Sequence, residues 1–289
     1  IETGMGGRLD ATNVIVPLVS VITTIGFDHM KYLGNSLTEI AHEKAGIIKE
    51  GVPVVTAVEN RGALEVIQGI CRDKKAKLVQ VQNRFFPRLL KNSIDFQEFA
   101  VNEMKVKIPL VGTHQITNAC TALAALEVVS ERFPLQQKDI IEGLAKTYWP
   151  GRLHIVSREP LIMVDGAHNV DGMKALVDYV KTVGNRKVLM LGIADDKEAE
   201  EMVKLVAPLF EQVIVTEGNF KPMDAEKLAQ IVGRYNKNVK TIKKSSEAFE
   251  EARRIAGNKL LLVTGSLYLI GDILSVIRKE TQQYRVVEN

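Results

Sequence analysis

Short apolar runs alternate with amphipathic segments through the first third of the chain. Runs rich in β-branched residues at 19–24, 53–57 and 77–82 predict strands, and the segments between them, 37–50 and 61–74, have the spacing of helices. This strand–helix order is typical of a parallel sheet. Ser36 and Glu39 form a capping-box pattern at the start of the first helix.

The pattern changes after residue 85. Residues 93–99 and 103–108 alternate apolar and polar side chains, which predicts a hairpin or a small antiparallel sheet. A long helix over 114–133 and a shorter one over 137–146 follow.

A Pro150-Gly151 turn separates this half from a second strand–helix series. The predicted domains are therefore residues 1–148 and 149–289. The second is predicted to be a doubly wound α/β domain. Its strands are predicted at 154–156, 161–164, 187–191, 212–216, 239–242 and 260–263, and its helices at 171–183, 197–209, 224–235, 246–256 and 267–281.

Composition narrows the class of protein. The chain has 289 residues, 46% hydrophobic and 25% charged, which is ordinary for a globular protein. A net charge of +3 is too small to indicate nucleic acid. Cys71 and Cys120 lie in predicted helices and form no CxxC pair, which argues against a disulfide scaffold or a zinc site and fits a reducing, cytoplasmic setting. No apolar run approaches ~18 residues, so no membrane span is expected.

Polar residues cluster where the 161–164 strand ends. Arg152 lies before this strand, and Asp165 and His168 follow it among small residues. Because ligands of open α/β sheets bind outside the carboxyl ends of the strands, these residues are candidates for a nucleotide site. An interdomain turn with a capping Asp or Asn is an equally good interpretation.

Lys44 falls within the apolar stripe of the 37–50 helix, four residues after Ile40 and four before Ile48. Burial disfavours an ammonium ion, and a neutral amine can react with carbon dioxide to give a carbamate that could hold a metal. The alternative is a lysine whose ammonium reaches the edge of the stripe.

Glu2 and His29 are candidate metal ligands. Glu2 ends a predicted strand before the glycine turn and His29 follows another strand by a few residues, so adjacent parallel strands would bring them to one rim. Magnesium prefers oxygen ligands, and a histidine suits manganese better. For His29, a hydrogen bond to the backbone is the simpler interpretation.

Two other segments could meet anions. Residues 4–13 are rich in glycine but do not form GxGxxG. His114, Gln115 and Asn118 lie at the start of a predicted helix, where backbone N–H groups favour anions or where the side chains serve as caps.

Five stretches in order carry a family resemblance. They are Glu2-Thr3-Gly4-Met5-Gly6-Gly7-Arg8-Leu9-Asp10-Ala11-Thr12-Asn13, residues 26–29 with 43–47, residues 112–115 with Asn118, residues 150–152 with 165–169, and residues 264–268. Together they resemble the bacterial folylpolyglutamate synthase/dihydrofolate synthase family of the Mur ligase superfamily. Each motif is moderately specific, and the ordered set is strongly specific.

The resemblance implies a fold and an activity. The fold is the carboxyl-terminal part of a Mur-ligase-type central ATPase domain, followed by a Rossmann-like, mostly parallel domain. The activity is ATP-dependent addition of L-glutamate to folate or dihydropteroate through an acyl phosphate. The implied ligands are ATP, Mg²⁺, glutamate and the pteroate compound, without nucleic acid or membrane, and we expect a monomer.

The resemblance also implies roles for single residues. Glu2 and His29 would hold Mg²⁺, and a carboxylated Lys44 would act with His29 in catalysis. Leu9, Asp10 and Ala11 would contact the pteroate group. The ATP contacts would be Asn118, Arg152, Asp165 and His168.

The ligase family needs a GxxxxGK[ST] loop for the ATP phosphates, and this chain has none. The resemblance begins after the point where that loop belongs, so we expect little or no ligase activity from this chain alone. The alternatives are a Mur-type cell-wall ligase and a non-catalytic nucleotide-binding fragment. A dinucleotide-dependent oxidoreductase is disfavoured, because no GxGxxG follows a strand.

Overall fold

The computed structural model describes residues 1–184 and 186–287, with side chains described up to residue 279. The chain divides into two compact units, Ile1–Thr147 and Tyr148–Asn289.

Unit 1 begins with a three-stranded parallel sheet in the order β1-β2-β3. Its elements are β1 (Ser20–Ile22), α1 (Met30–Leu33), α2 (Leu37–Ala45), β2 (Val54–Thr56), α3 (Arg61–Asp73) and β3 (Leu78–Gln80). The strand–helix alternation predicts this sheet correctly. Helix α1 is not predicted by the sequence pattern, because four residues are too few to show a helical period.

Helix α2 ends five residues earlier than predicted. Its capping box is confirmed, since Ser36 accepts from the Glu39 N–H and the Glu39 carboxylate accepts from the Ser36 N–H. The helix ends at Ala45, and at the next residue, Gly46, the chain near Arg8 packs so closely that a Cβ would lie 2.3 Å from the Arg8 Cβ. A tertiary contact therefore sets this end, although the apolar spacing continues to Ile48.

A small antiparallel sheet follows, as the alternating pattern predicts, in the order β4-β5-β6. Its strands are β4 (Arg88–Asn92), β5 (Gln97–Val101) and β6 (Met104–Ile108). The sequence does not indicate β4, because all five of its residues are exposed and no buried face imposes alternation. Helices α4 (Thr113–Ser130) and α5 (Gln137–Ala145) complete unit 1.

The parallel sheet of unit 1 is covered on both faces. On one face, Val54 packs in a cluster with α2 and α3, which includes Ile67. On the other face, Val55 belongs to a cluster with Phe99 of the antiparallel sheet and Leu123 of α4. Unit 1 thus has two apolar cores separated by three short strands.

Unit 2 is built on a six-stranded sheet in the order β11-β10-β9-β12-β8-β7, parallel throughout except that β7 is antiparallel to β8. This confirms the predicted mostly parallel, doubly wound fold. The elements are β7 (His154–Arg158), β8 (Leu161–Val164), α6 (Val170–Val180), β9 (Lys187–Leu191), α7 (Ala199–Val206), β10 (Gln212–Glu217), α8 (Ala225–Tyr235), β11 (Val239–Lys244), α9 (Ser245–Ala256), β12 (Leu260–Thr264) and α10 (Leu267–Val287).

The central strands of unit 2 are buried on both faces. Val188 and Met190 of β9 pack in a cluster with α9 and α10, and the intervening Leu189 is equally buried. Continuous apolar strands of this kind are typical of parallel sheets covered by helices on both sides. None of the helices in the described residues is both long and apolar enough to cross a membrane.

Candidate functional site

A cavity of about 670 Å³ in unit 1 brings together three of the predicted site residues. Its lining includes Glu2, His29 and Lys44, and also Asp28 and Lys49, for which the sequence indicated no role. Two carboxylates, an imidazole and two lysines therefore border one space. These groups can bind a cation and an anion side by side.

Helix α2 supplies Lys44. The apolar stripe is confirmed, since Ile40 and Ala45 are fully buried and Ile48 is 3% exposed. Lys44 itself is half-buried and contributes to the cavity wall. Its amine is thus at the edge of the stripe, within reach of small molecules in the cavity.

His29 follows β1 and precedes α1 in an unusual backbone conformation. Its φ of 50° lies in the left-handed region, where a non-glycine residue is uncommon. The Asp28 carboxylate accepts a hydrogen bond from the His29 N–H at 2.9 Å and lies 3.9 Å from its Nε2. Asp28 therefore holds the His29 backbone and lies beside its imidazole, and its place in the motif Gly26-Phe27-Asp28-His29 is the signal that could have identified it.

Glu2 is exposed and lies in a segment without regular structure. The expectation that it ends a strand is wrong for this structure, because residues 1–2 have no strand partner. In the described part of the chain, no three His, Cys, Asp or Glu side chains converge closely enough to hold a metal ion by themselves. Glu2 and His29 offer one oxygen and one nitrogen ligand, which fits an ion such as Mg²⁺ or Mn²⁺ that keeps several waters.

The glycine-rich segment, residues 4–13, is folded around Asp10. One carboxylate oxygen accepts from the N–H groups of Gly4 and Met5 at 2.9 and 3.0 Å, and the other accepts from the N–H and hydroxyl of Thr12 at 3.0 and 2.6 Å. These bonds, the Thr12 hydroxyl first, lower the pKa of Asp10 to about 2. Asp10 thus organises the segment.

Leu9 and Ala11 flank Asp10 and are both exposed. Neither they nor Asp10 are among the residues that line the cavity. Their contact with a pteroate group stays a prediction.

Asn118 lies in the second turn of α4, where it is exposed. Its amide donates to Gln115 Oε1 at 3.1 Å, and Gln115 Nε2 is 3.0 Å from His114 Nε2. The sequence did not indicate Gln97, whose buried amide donates to the carbonyls of Leu110 and Gly112 and so holds the chain that enters this helix. These hydrogen bonds hold the first turns of α4 in place, and Asn118 lies there with its side chain exposed. Its contact with ATP stays a prediction.

In unit 2, Asp165 joins two backbone segments at the carboxyl end of β8. Its oxygens accept from the N–H groups of Leu153 at 2.8 Å and Ala167 at 2.9 Å, and the residue is 6% exposed. Burial raises the pKa of Asp165, whereas these two bonds and the charges of Arg152 and His168 oppose the rise. The carboxylate thus caps backbone N–H groups, as the alternative interpretation of a turn with a capping Asp expects, and its contact with a ribose stays a prediction.

Arg152 and His168 lie in the two segments that Asp165 joins. Arg152 is exposed between Gly151 and Leu153, which have left-handed φ values of 78° and 44°. His168 Nδ1 is 2.8 Å from the Gly166 carbonyl oxygen. The structure therefore brings the three predicted residues of unit 2 into one loop cluster.

Two family models match the chain. The Mur ligase middle domain matches residues 1–126, and the Mur ligase glutamate ligase domain matches residues 151–267. Together with the two α/β units, these matches define the class as a Mur ligase.

Individual relatives narrow the class. A dihydrofolate synthase/folylpolyglutamate synthase of Bacillus subtilis is 35% identical over 288 residues, covering 94% of this chain and 65% of the relative. A probable dihydrofolate synthetase of Schizosaccharomyces pombe is 32% identical, with 96% and 70% covered. The solved structure of Mycobacterium tuberculosis folylpolyglutamate synthase with ADP and AMPPCP superposes with a TM-score of 0.86 at 29% identity, covering 96% of this chain and 67% of that one.

The chain belongs to the folylpolyglutamate synthase/dihydrofolate synthase family, as its motifs predicted. It spans 65% of the length of the Bacillus subtilis relative.

Proposed function

We propose that this chain acts in the ATP-dependent addition of L-glutamate to folate or dihydropteroate. Family membership supports the reaction type, and the names of the relatives support the substrate class. The observation that carries the proposal is the single cavity lined by Glu2, His29 and Lys44. Three residue types that the chemistry needs, from three different segments, border one space.

The proposed reaction has two steps. A substrate carboxylate attacks the γ-phosphorus of ATP, giving an acyl phosphate and ADP, and the amine of glutamate then displaces phosphate to form the amide. Negative charge accumulates on the phosphoryl oxygens during the first step, so cationic groups near them lower the barrier. Magnesium, when bound, supplies such charge.

Five of the predicted residues contact the metal ion or the nucleotide in this scheme. Glu2 and His29, which both border the cavity, would hold the metal ion. Arg152 offers a planar fork of N–H donors to phosphate, and its exposed side chain is free to reach one. Asn118 and His168 add hydrogen bonds to the nucleotide.

Lys44 is proposed to act as a carbamate. The ammonium gives one proton to solvent, the neutral amine attacks carbon dioxide to form a C–N bond as one C–O π bond breaks, and a second proton leaves to solvent. The gain of carbon dioxide and the loss of two protons convert a cation into an anion. The half-buried position at the cavity edge supports this, because the opening admits carbon dioxide to the side chain. The resulting carboxylate can orient a metal ion or the incoming amine.

The metal role can be tested by titrating this chain with Mn²⁺ and following free Mn²⁺ by electron paramagnetic resonance. We expect Glu2→Gln and His29→Ala each to weaken Mn²⁺ binding by about tenfold or more, since even the loss of a residue that only hydrogen-bonds to a metal ligand costs about 10–100-fold. Glu50→Gln and His42→Ala are matched controls, because both residues are exposed and lie outside the cavity lining. Equal affinity in all five proteins would remove the basis for the metal site.

The substrate class is tested separately by calorimetry. The proposal expects 7,8-dihydropteroate or folate to bind the chain, and a nucleotide-sugar precursor of the cell wall to show no binding. Binding of the nucleotide sugar instead would favour a cell-wall ligase.

A further inference from the structure

The glycine-rich segment, residues 4–13, lies directly on the last turn of the helix that carries Lys44. The guanidinium of Arg8 donates to the carboxylate of Glu43 in a forked arrangement, with Nε–Oε1 at 3.0 Å, Nε–Oε2 at 3.2 Å and Nη2–Oε1 at 2.9 Å. The Arg8 backbone N–H also donates to the Glu43 carbonyl at 2.8 Å. Side chain and main chain of one residue are thus tied to the residue next to Lys44.

Two glycines permit this close approach. A Cβ on Gly7 would lie 2.8 Å from the Lys44 carbonyl oxygen, and a Cβ on Gly46 would lie 2.3 Å from the Arg8 Cβ. Both distances are too short for real carbon contacts, so any side chain at either position would push the segment away from α2. The contact is therefore a specific fit between backbones.

Asn13 closes the far end of the segment. Its amide donates to the carbonyls of Arg8 and Gly46, both at 3.0 Å, and its own carbonyl accepts from the Lys49 ammonium at 2.7 Å. Lys49 and Asn13 both border the cavity. The segment is thus attached to the α2 region at Arg8 and at Asn13. Residues 4–6, 12 and 13 of the segment border the cavity, whereas residues 7–11 do not.

The charged pair differs from an ordinary surface ion pair. Glu43 is only 20% exposed, whereas Arg8 keeps 48% of its side chain in solvent. A forked arginine–carboxylate bond adds direction as well as charge attraction, and partial burial of Glu43 reduces competition from water. Such a pair can stabilise one conformation of residues 4–13 relative to the other conformations open to this segment.

We propose that Arg8 and Glu43 are positioning residues that hold the glycine-rich segment against α2. Residues 9–11, the predicted pteroate contacts, then keep a fixed place relative to Lys44. This inference rests on the proposed function for its consequence in substrate binding, but the attachment itself can be measured without substrate. Neither residue borders the cavity, so the pair acts through the segment it holds.

Hydrogen exchange of residues 4–13, followed by mass spectrometry, tests the attachment. We expect Arg8→Glu and Glu43→Arg each to raise the exchange rate of this segment by about tenfold, the effect of losing one strong charged interaction. The double exchange Arg8→Glu/Glu43→Arg should return the rate to within about threefold of the wild type, because the opposite charges face each other again.

Two further variants sharpen the test. Arg8→Lys keeps the charge but cannot form the fork, so it should show an intermediate rate. Arg8→Met removes the ion pair without placing two like charges together, so it tests the attachment if a charge-reversal variant fails to fold. The matched control is Arg61→Glu with Glu65→Arg, an exposed ion pair on α3 whose loss should leave residues 4–13 unchanged.

Binding of 7,8-dihydropteroate by calorimetry tests the consequence. We expect affinity to fall about tenfold in Arg8→Glu and to recover in the double exchange, while the Arg61 and Glu65 variants bind like the wild type. Failure of the wild type to bind would overturn the proposed substrate role but not the attachment. Unchanged exchange in Arg8→Glu and Glu43→Arg would overturn the positioning role itself.

Discussion

At the scale of single residues, two predicted ligand contacts turn out to be organising carboxylates. Asp10 accepts four hydrogen bonds within its own segment, and Asp165 accepts two from separate backbone segments. An aspartate among small residues is compatible with either role, because ligands and backbone N–H groups both donate to carboxylates. Five of these six donors are main-chain N–H groups, which no residue pattern identifies, and the sixth is the Thr12 hydroxyl.

The Thr12 hydroxyl is the largest cause of the low pKa of Asp10, so Thr12→Val should raise that pKa from about 2 toward the ordinary 3.8. Because the folded-state pKa lies below the ordinary one, the stabilisation that the carboxylate gives is complete above about pH 4 and is lost as pH falls toward 2. In the variant the folded-state pKa lies closer to 3.8, so less stability is lost on acidification and the loss spans a narrower pH range. Carboxyl ¹³C chemical shifts measured against pH report the pKa directly.

Thr147→Val is the control for this measurement, because the Thr147 hydroxyl donates to the Gly143 carbonyl far from Asp10 in sequence. It should leave the pKa of Asp10 at about 2. An unchanged pKa in Thr12→Val would show that the backbone donors alone suffice.

At the scale of elements, the sequence predicts what periodicity can reveal. Buried strands such as β8 and β9 match their predicted bounds, because burial on both faces requires unbroken apolar runs. Strand β4 escapes prediction because it has no buried face, and α2 ends early because Gly46 meets a distant segment. Elements set by tertiary contact are thus the ones that local pattern misses.

The start of α2 depends on local contacts and can be tested locally. Ser36→Ala removes the acceptor of the Glu39 N–H, and we expect it to lower the free energy of unfolding by about 1 kcal/mol. Ser36→Asp should recover most of the loss, because a carboxylate also caps a helix start. Urea unfolding followed by circular dichroism measures both.

Ser130→Ala provides the matched control, since this serine ends α4 and its hydroxyl only donates back to the Glu127 carbonyl. We expect a change within about 0.5 kcal/mol there. Equal losses in the Ser36 and Ser130 variants would contradict a special role for the capping box that positions the helix of Lys44.

At the scale of the whole molecule, the sequence predicts two α/β parts and assigns the metal candidates to one of them. Glu2, His29 and Lys44 share a cavity, although Glu2 does not end a strand as the predicted strand order assumed. The Arg8–Glu43 pair could not be found in this way, because its residues are 35 positions apart and lie in no common periodic element. Order along the chain predicts which segments converge but does not show which side chains join them.

The two cysteines allow unit 1 to be followed within the whole molecule. Cys71 belongs to the core on one face of the parallel sheet and Cys120 to the core on the other face, and the sequence holds no further cysteine. Burial raises the pKa of each thiol to about 11. At pH 8 the reactive thiolate is then about a hundredfold scarcer than for an ordinary thiol, before steric protection is counted.

We therefore expect both thiols to resist a disulfide reagent in native buffer and to react together in urea. If the two cores depend on the same three strands, both cysteines should become reactive with the same urea midpoint. The variants Cys71→Ala and Cys120→Ala show which thiol gives each reactivity signal. Trp149, the single tryptophan, lies in unit 2 and gives that unit a separate fluorescence signal. Different midpoints for the two cysteines would show that the faces of the sheet unfold separately, against the expectation that small single domains unfold cooperatively.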